Sequence, residues 1–243
     1  DGHDLRRDWG GEGAMLAAMD TLESQGGIKA PRPHAVVLVH GLGRSAHSFD
    51  TMADRLQAQG LEAIQFNYAS TQGTIVDHAR ALNRMLSELK GVHTVSFITH
   101  SLGGPVVRQA LALEKPKIEL GRVVMLAPPL GGSEVADLLH RNRLYRWFYG
   151  PAGQELTTAA RSEPDTVFYE LGIIAGTSDW LFPAAHSLFG GAHDGRVSVE
   201  RTKLPGMRAH MTVAASHTLI PWRPAVLRQI AALLKTGTFE KQD

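Results

Sequence analysis

The sequence predicts an α/β fold, a mostly parallel sheet of about six strands with helices on both faces. Three observations carry that expectation. Short apolar runs rich in Val, Ile and Leu alternate with longer stretches of helical periodicity. The first strong run, Ala35-Val36-Val37-Leu38-Val39, is apolar on both faces, as a buried parallel strand should be. Residues 97–104, Phe-Ile-Thr-His-Ser-Leu-Gly-Gly, pass from a strand through a sharp turn into a helix start.

Taken in order, residues 14–24 place Met15, Leu16, Met19 and Leu22 at helical spacing, and Gly26-Gly27 ends that helix. Pro31 and Pro33 punctuate the approach to the 35–39 strand. A helix is expected over 47–59 with Gly60 as its C-cap, then a strand over Leu61 to Tyr68. Ile75, Ala79, Leu82, Met85, Leu86 and Leu89 share one side of a helix over 75–90. A strand from His93 to Thr99 leads into His100-Ser101-Leu102-Gly103-Gly104, with a helix over Pro105 to Leu113. Arg122 to Ala127 is a strand stopped by Pro128-Pro129. Tyr169 to Ala175 and Met211 to Ala215 are the last two strands, and a helix over Pro224 to Leu234 closes the chain with its Pro in the first turn. An N-terminal helical segment, 1–33, is thus expected ahead of one domain, 34–243. Between Pro128 and Asp165 the rhythm breaks, and Leu138-Leu139 and Leu144 to Tyr149 would form a cap over the site, inserted at about 130–165. An ordinary crossover helix with an aromatic core face is the alternative there.

The 243 residues suffice to bury a substantial core in one domain. Lys+Arg number 25 and Asp+Glu 24, a formal net charge of +1, so neither a nucleic-acid footprint nor a polybasic membrane anchor is expected. The absence of cysteine excludes disulfides, thiolate metal sites and a cysteine nucleophile. No apolar run approaches the ~20 residues of a membrane helix. The polar start, Asp1 to Asp8, carries no signal-peptide core. Its opening without Met tilts the expectation towards a secreted or periplasmic protein, and trimming explains it equally well.

Strand, tight turn with Ser101 at its tip, then helix is the layout that projects a hydroxyl above a sheet and aims amide N–H groups at a developing oxyanion. Serine is a poor nucleophile without a base, and the base needs a carboxylate to fix its tautomer. On this layout acid and base follow the nucleophile in chain order. His217, just past the last strand in Ala215-Ser216-His217-Thr218, is the expected base, whereas His210 stands at the wrong end of that strand. Asp179 and Asp194 both lie between the last two strands, and position alone does not separate them. Two oxyanion donors are expected, the amides of Leu102 and of Leu42, the latter in the Gly-rich loop His40-Gly41-Leu42-Gly43-Arg44. No Lys-Ser/Thr follows that loop, so a phosphate-binding loop is not expected.

These residues resemble the α/β-hydrolase superfamily, and within it the small bacterial lipase/esterase-like serine hydrolases. The resemblance spans most of 34–236. It is carried by Val39-His40-Gly41-Leu42-Gly43, Thr99-His100-Ser101-Leu102-Gly103-Gly104, Asp194-Gly195-Arg196-Val197-Ser198-Val199 and Ser216-His217-Thr218. It implies a minimal version of the fold, since no strand is expected before Ala35 for the leading antiparallel pair of larger hydrolases. Lipases of this type carry their acid in an Asp-Gly-x-Val run, which favours Asp194 over Asp179. Thr99 departs from the usual G-x-S-x-G, and Thr218-Leu219-Ile220 stands where several relatives place a calcium-binding Asp, so neither calcium nor any other metal or cofactor is expected. The implied activity is hydrolysis of carboxylic esters through an acyl-enzyme. Thioesterase, amidase or phospholipase A activity would use the same triad, and an idle binding protein on this fold is the rival from another class. The implied substrate is a small-molecule or lipid ester. Its acyl part would meet Trp180, Leu181, Phe182, Leu188 and Phe189, with Trp147 in the cap, and such apolar loops would permit transient contact with a lipid surface; buried core is the equal alternative for this cluster.

Overall fold

A computed structural model of the chain describes Thr21 and residues 32–161, 166–178 and 188–241. Six strands form one open sheet: β1 (His34–Val39), β2 (Glu62–Phe66), β3 (Thr94–His100), β4 (Glu119–Leu126), β5 (Leu171–Gly176) and β6 (Ala209–Val213). Their order is β2-β1-β3-β4-β5-β6, and every neighbouring pair is parallel. The chain runs outward from β1 to the edge strand β2, then returns past β1 to build the rest of the sheet. The switch in direction therefore falls between β1 and β3, where the loops leaving both strands open a crevice at their carboxyl ends.

Six helices are described: α1 (Asp50–Ala58), α2 (Ile75–Ser87), α3 (Gly103–Leu113), α4 (Glu134–Leu139), α5 (Arg143–Gln154) and α6 (Pro224–Thr236), of which α1, α2, α3 and α6 cover the sheet. Alternate strand residues point to opposite faces. Val37, Val39, Phe97, Val123, Met125 and Ile173 meet α2 and α3 in one core cluster. Val36, Leu38, Ile98, Val124, Leu126 and Ile174 meet α1 and α6 in the other. Burial on both faces is why β1 and β5 read as nearly unbroken apolar runs, whereas the half-buried edge strands β2 and β6 carry polar residues such as Glu62, Gln65, His210 and Thr212.

Local chemistry sets the helix ends. Thr74 and Asp77 form a reciprocal capping box at the start of α2. Pro224 opens α6, and Gly237, left-handed at φ 78°, closes it. A Cβ on Gly103 would run into the Val39 carbonyl oxygen, so only glycine lets α3 start this close to β1.

Several element ends differ from the sequence expectation. β2 stops at Phe66, short of Tyr68, because the Tyr68 N–H leaves the ladder to bond the His40 ring. The helix expected over 47–59 is a 3₁₀ turn, Ala46–Phe49, followed by α1. The elbow helix begins at Gly103, two residues before Pro105. β6 runs two residues earlier than expected. Apart from Thr21, the helix expected over 14–24 lies outside the described residues. In the 130–165 stretch, α4 and α5 follow β4, and α5 is interrupted at Gly150, where φ is 60° and a Cβ would strike the Thr71 backbone. Beyond that break the chain docks onto the start of α2, through Ala152 N–H to the Gly73 carbonyl at 3.0 Å and Ile75 N–H to Glu155 Oε2 at 2.9 Å.

Candidate active site

Ser101 follows the end of β3 with φ +52°, a left-handed backbone that non-glycine residues rarely adopt. Its N–H still bonds the Leu126 carbonyl of β4, at 2.9 Å, and the chain then turns straight into α3. The hydroxyl is thereby held above the carboxyl end of the sheet, at the N-terminus of a helix. Thr99, in place of a first glycine, is fully buried beneath the turn. Nearby, a Cβ on Gly104 would lie 2.8 Å from Pro128 Cβ, so glycine lets α3 start against the end of β4.

His217 and Asp194 meet Ser101 from the far side of the sheet. His217 Nε2 lies 2.9 Å from Ser101 Oγ, and its Nδ1 lies 2.7 Å from Asp194 Oδ2. The other carboxylate oxygen of Asp194 accepts the N–H groups of Arg196 and Val197, both at 2.9 Å. A buried carboxylate that only accepts requires the imidazole to carry its proton on Nδ1, which leaves Nε2 to accept from the serine hydroxyl. The backbones are tied as well, by His217 N–H to the Asp194 carbonyl at 2.9 Å. At Gly176, the end of β5, a Cβ would lie 2.8 Å from Asp194 Cβ, so glycine clears the way for the acid. Asp179 lies outside the described residues.

Two further histidines support the site. His100, just before Ser101, donates from Nε2 to the His217 carbonyl at 2.8 Å. Burial, and then the neighbouring His217 ring, hold His100 well below its ordinary proton affinity, so it stays neutral. His40 donates from Nδ1 to the Gly41 carbonyl at 2.9 Å and stacks on Tyr68 at 4.3 Å, while the Tyr68 hydroxyl donates to the His40 carbonyl at 2.8 Å. Gly43 N–H is held by Ser70 Oγ at 3.0 Å. These bonds fix the 40–44 loop beside the serine, where a Cβ on Gly41 would lie 3.1 Å from Ser101 Cβ. Neither the Leu42 nor the Leu102 N–H has an acceptor among the described residues.

The acid loop is joined to the start of α4. Ser198 Oγ donates to Glu134 Oε1 at 2.6 Å, Arg201 Nε to the same oxygen at 2.9 Å, and Ser133 Oγ to the Arg196 carbonyl at 2.7 Å. Above Ser101 lies a cavity of about 460 Å³, walled by Val135, Leu138, Leu139, Tyr149, Leu156 and Leu188. Of the residues expected to touch substrate, Leu188 lines this cavity, and Phe189 is buried beside it, stacked on His193 at 4.0 Å. Trp147 does not line it and stands 76% exposed on α5. Trp180, Leu181 and Phe182 lie outside the described residues. Sequence reasoning missed the ties made by His100, His40, Tyr68 and Glu134. Only the Val135, Leu138, Leu139 spacing, one face of α4, signalled the wall.

An open parallel sheet with a serine, histidine and aspartate in one hydrogen-bonded chain at its carboxyl edge defines a hydrolase of the α/β class. Residues 36–237 match the alpha/beta hydrolase family, and the chain belongs to it. No curated protein sequence matches it. Among solved structures, the mature lipase BlEst2 of Bacillus licheniformis is similar at a TM-score of 0.71 and 22% identity, over 87% of this chain and 94% of that one. A metagenomic carboxyl esterase is similar at 0.66 and 19%, over 85% and 71%. The RedJ thioesterase of the prodiginine pathway in Streptomyces coelicolor is similar at 0.53 and 13%, over 85% and 94%. At these identities the likeness is one of fold.

Proposed function

We propose that this hydrolase cleaves carboxylic esters through an acyl-enzyme on Ser101. The observation that carries the reading is the unbroken chain Ser101···His217···Asp194 opening into a carbon-walled cavity. Ser101 Oγ attacks the ester carbonyl while His217 Nε2 takes its proton, and Asp194 stabilises the imidazolium that forms. The developing oxyanion is received by the N–H groups of Leu42 and Leu102. His217 gives the proton to the departing alcohol, then draws a proton from water, which attacks the acyl carbon and frees Ser101.

The acyl chain lies along Leu138, Leu139, Leu156 and Leu188. Helices α4 and α5 act as a small cap, and Trp147 on its outer side meets substrate only at an aggregated lipid surface. No described helix is long and apolar enough to cross a membrane. The lipase and carboxyl esterase among the similar structures agree with an ester substrate, while the thioesterase keeps acyl thioesters as the comparator.

The test is hydrolysis of p-nitrophenyl esters from acetyl to palmitoyl, beside acyl thioesters, by the parent and Ser101→Ala. Turnover that depends on Ser101 and favours oxygen esters is expected. Turnover confined to thioesters, or equal rates with Ser101→Ala, would overturn the reading.

A further inference from the structure

The cavity over Ser101 is not carbon throughout. Arg44 and Arg196 line it, and among the described lining side chains they alone carry a full charge. Arg44 lies two residues beyond Leu42, and Arg196 two residues beyond Asp194. Both therefore rise from the loops that flank Ser101, whereas the carbon wall comes chiefly from α4, α5 and Leu156.

Neither guanidinium has a carboxylate or hydrogen-bond partner among the described residues. Arg44 lies instead over the Trp222 ring, 5.5 Å from its centroid, which holds a half-buried guanidinium in place without neutralising it. Burial first, and then the like charge of Arg196, lower the proton affinity of Arg44. Both also add, behind burial and His217, to the forces that keep His100 neutral. Two like charges at one cavity, with no carboxylate on either among the described residues, favour the entry of an anion. A phosphomonoester carries about −1.5 to −2 at neutral pH and several acceptor oxygens, which matches two guanidinium forks.

We propose that the site takes acyl esters whose alcohol half carries a phosphate group, held by Arg44 and Arg196 while the acyl chain lies against Leu138, Leu139 and Leu156. The inference rests on the ester-hydrolase reading above. Only the ester C–O bond breaks. Ser101 Oγ bonds the acyl carbon, the phosphorylated alcohol leaves with the proton from His217, and water then releases the carboxylic acid. The phosphate is recognised and not cleaved.

The experiment compares 1-octanoylglycerol with 1-octanoylglycerol 3-phosphate, both below their aggregation limits, and reads octanoate release as a ratio of kcat/KM values. The parent is expected to favour the phosphate substrate by about a hundredfold, about tenfold for each guanidinium. Arg44→Gln and Arg196→Gln should each lower that ratio about tenfold, the Lys variants should restore part of it, and added salt should shrink it. A parent ratio near one, or a ratio unmoved by both Gln variants, overturns the inference. Because Arg196 is exposed, Arg196→Gln stays informative even if Arg44→Gln folds poorly. Turnover of the neutral ester alone sinks this inference only. No Ser101-dependent release from either substrate, with Ser101 also unlabelled by an organophosphonate, removes the ester reading and this one together.

Discussion

Asp194, His217 and Ser101 satisfy nearly all their polar atoms on one another and on nearby backbone, while α4 and α5 above them offer the cavity mostly carbon. The lower region is buried: Ser101 is 9% exposed and Asp194 2%. The upper region is open to water, with Leu138 59% exposed at the cavity and Trp147 76% exposed outside it, and α5 is broken at Gly150. A network in which each group holds two others has one geometry and tolerates little change. A thin apolar wall has many near-equivalent packings and tolerates substitution. On the ester-hydrolase proposal, this difference would give chemistry to the floor and selection among acyl chains to the roof.

The largest expected effects lie in the floor. Ser101→Ala should lower kcat by about 10⁶-fold, and Asp194→Asn by about 10⁴-fold through loss of the imidazole tautomer, both read by ester turnover. An Asp194→Asn variant within tenfold of the parent would break the comparison. Glu134→Gln probes the junction, since Glu134 ties α4 to the acid loop through Ser198 and Arg201. It should cost about 1–2 kcal/mol of stability by denaturant titration, with kcat falling more than KM rises. Equal changes in the two constants would show that the tie holds the wall and not the acid.

Acid sensitivity sharpens the same contrast. Burial holds His100 well below its ordinary value of 6.5, and His34, His40, His78 and His210 are displaced the same way. Below 6.5 the unfolded chain therefore binds more protons than the folded one. Their contribution to stability is complete above 6.5 and is lost as pH falls towards the depressed folded values. The Tm should decline between about pH 7 and pH 5, and His100→Gln, which keeps an N–H donor without a titrating ring, should flatten that slope. A slope unchanged by this variant would place the sensitivity elsewhere.

The smallest effects belong to the roof. Leu138→Ala should alter stability by about 0.5 kcal/mol or less and shift the preference between octanoyl and acetyl esters several-fold. Trp147→Ala should leave soluble short esters untouched and lower activity only on emulsified long-chain esters. A loss on both would bring Trp147 into contact with soluble substrate.

Much of this was legible from the chain. The inner strands announce themselves because both faces are buried, and Ser101 because strand, turn and helix are contiguous. His217 follows from chain order, and the structure places it and Asp194 in hydrogen-bond contact with the serine's network. What stayed hidden joins distant residues. Glu134 and Ser198 are 64 positions apart, and His100 and His217 117 apart, and neither pair leaves a mark on periodicity. Element ends shifted where a side chain diverted the backbone, as His40 does to Tyr68.

The left-handed turn at Ser101 carries a last consequence. A side chain in that conformation costs on the order of 1–3 kcal/mol, and glycine relieves it. Ser101→Gly should therefore melt higher than the parent while hydrolysing nothing. If Ser101 is the nucleophile proposed, its own turn holds the protein below the thermal ceiling of the scaffold, and a screen for heat resistance alone would select its inactivation.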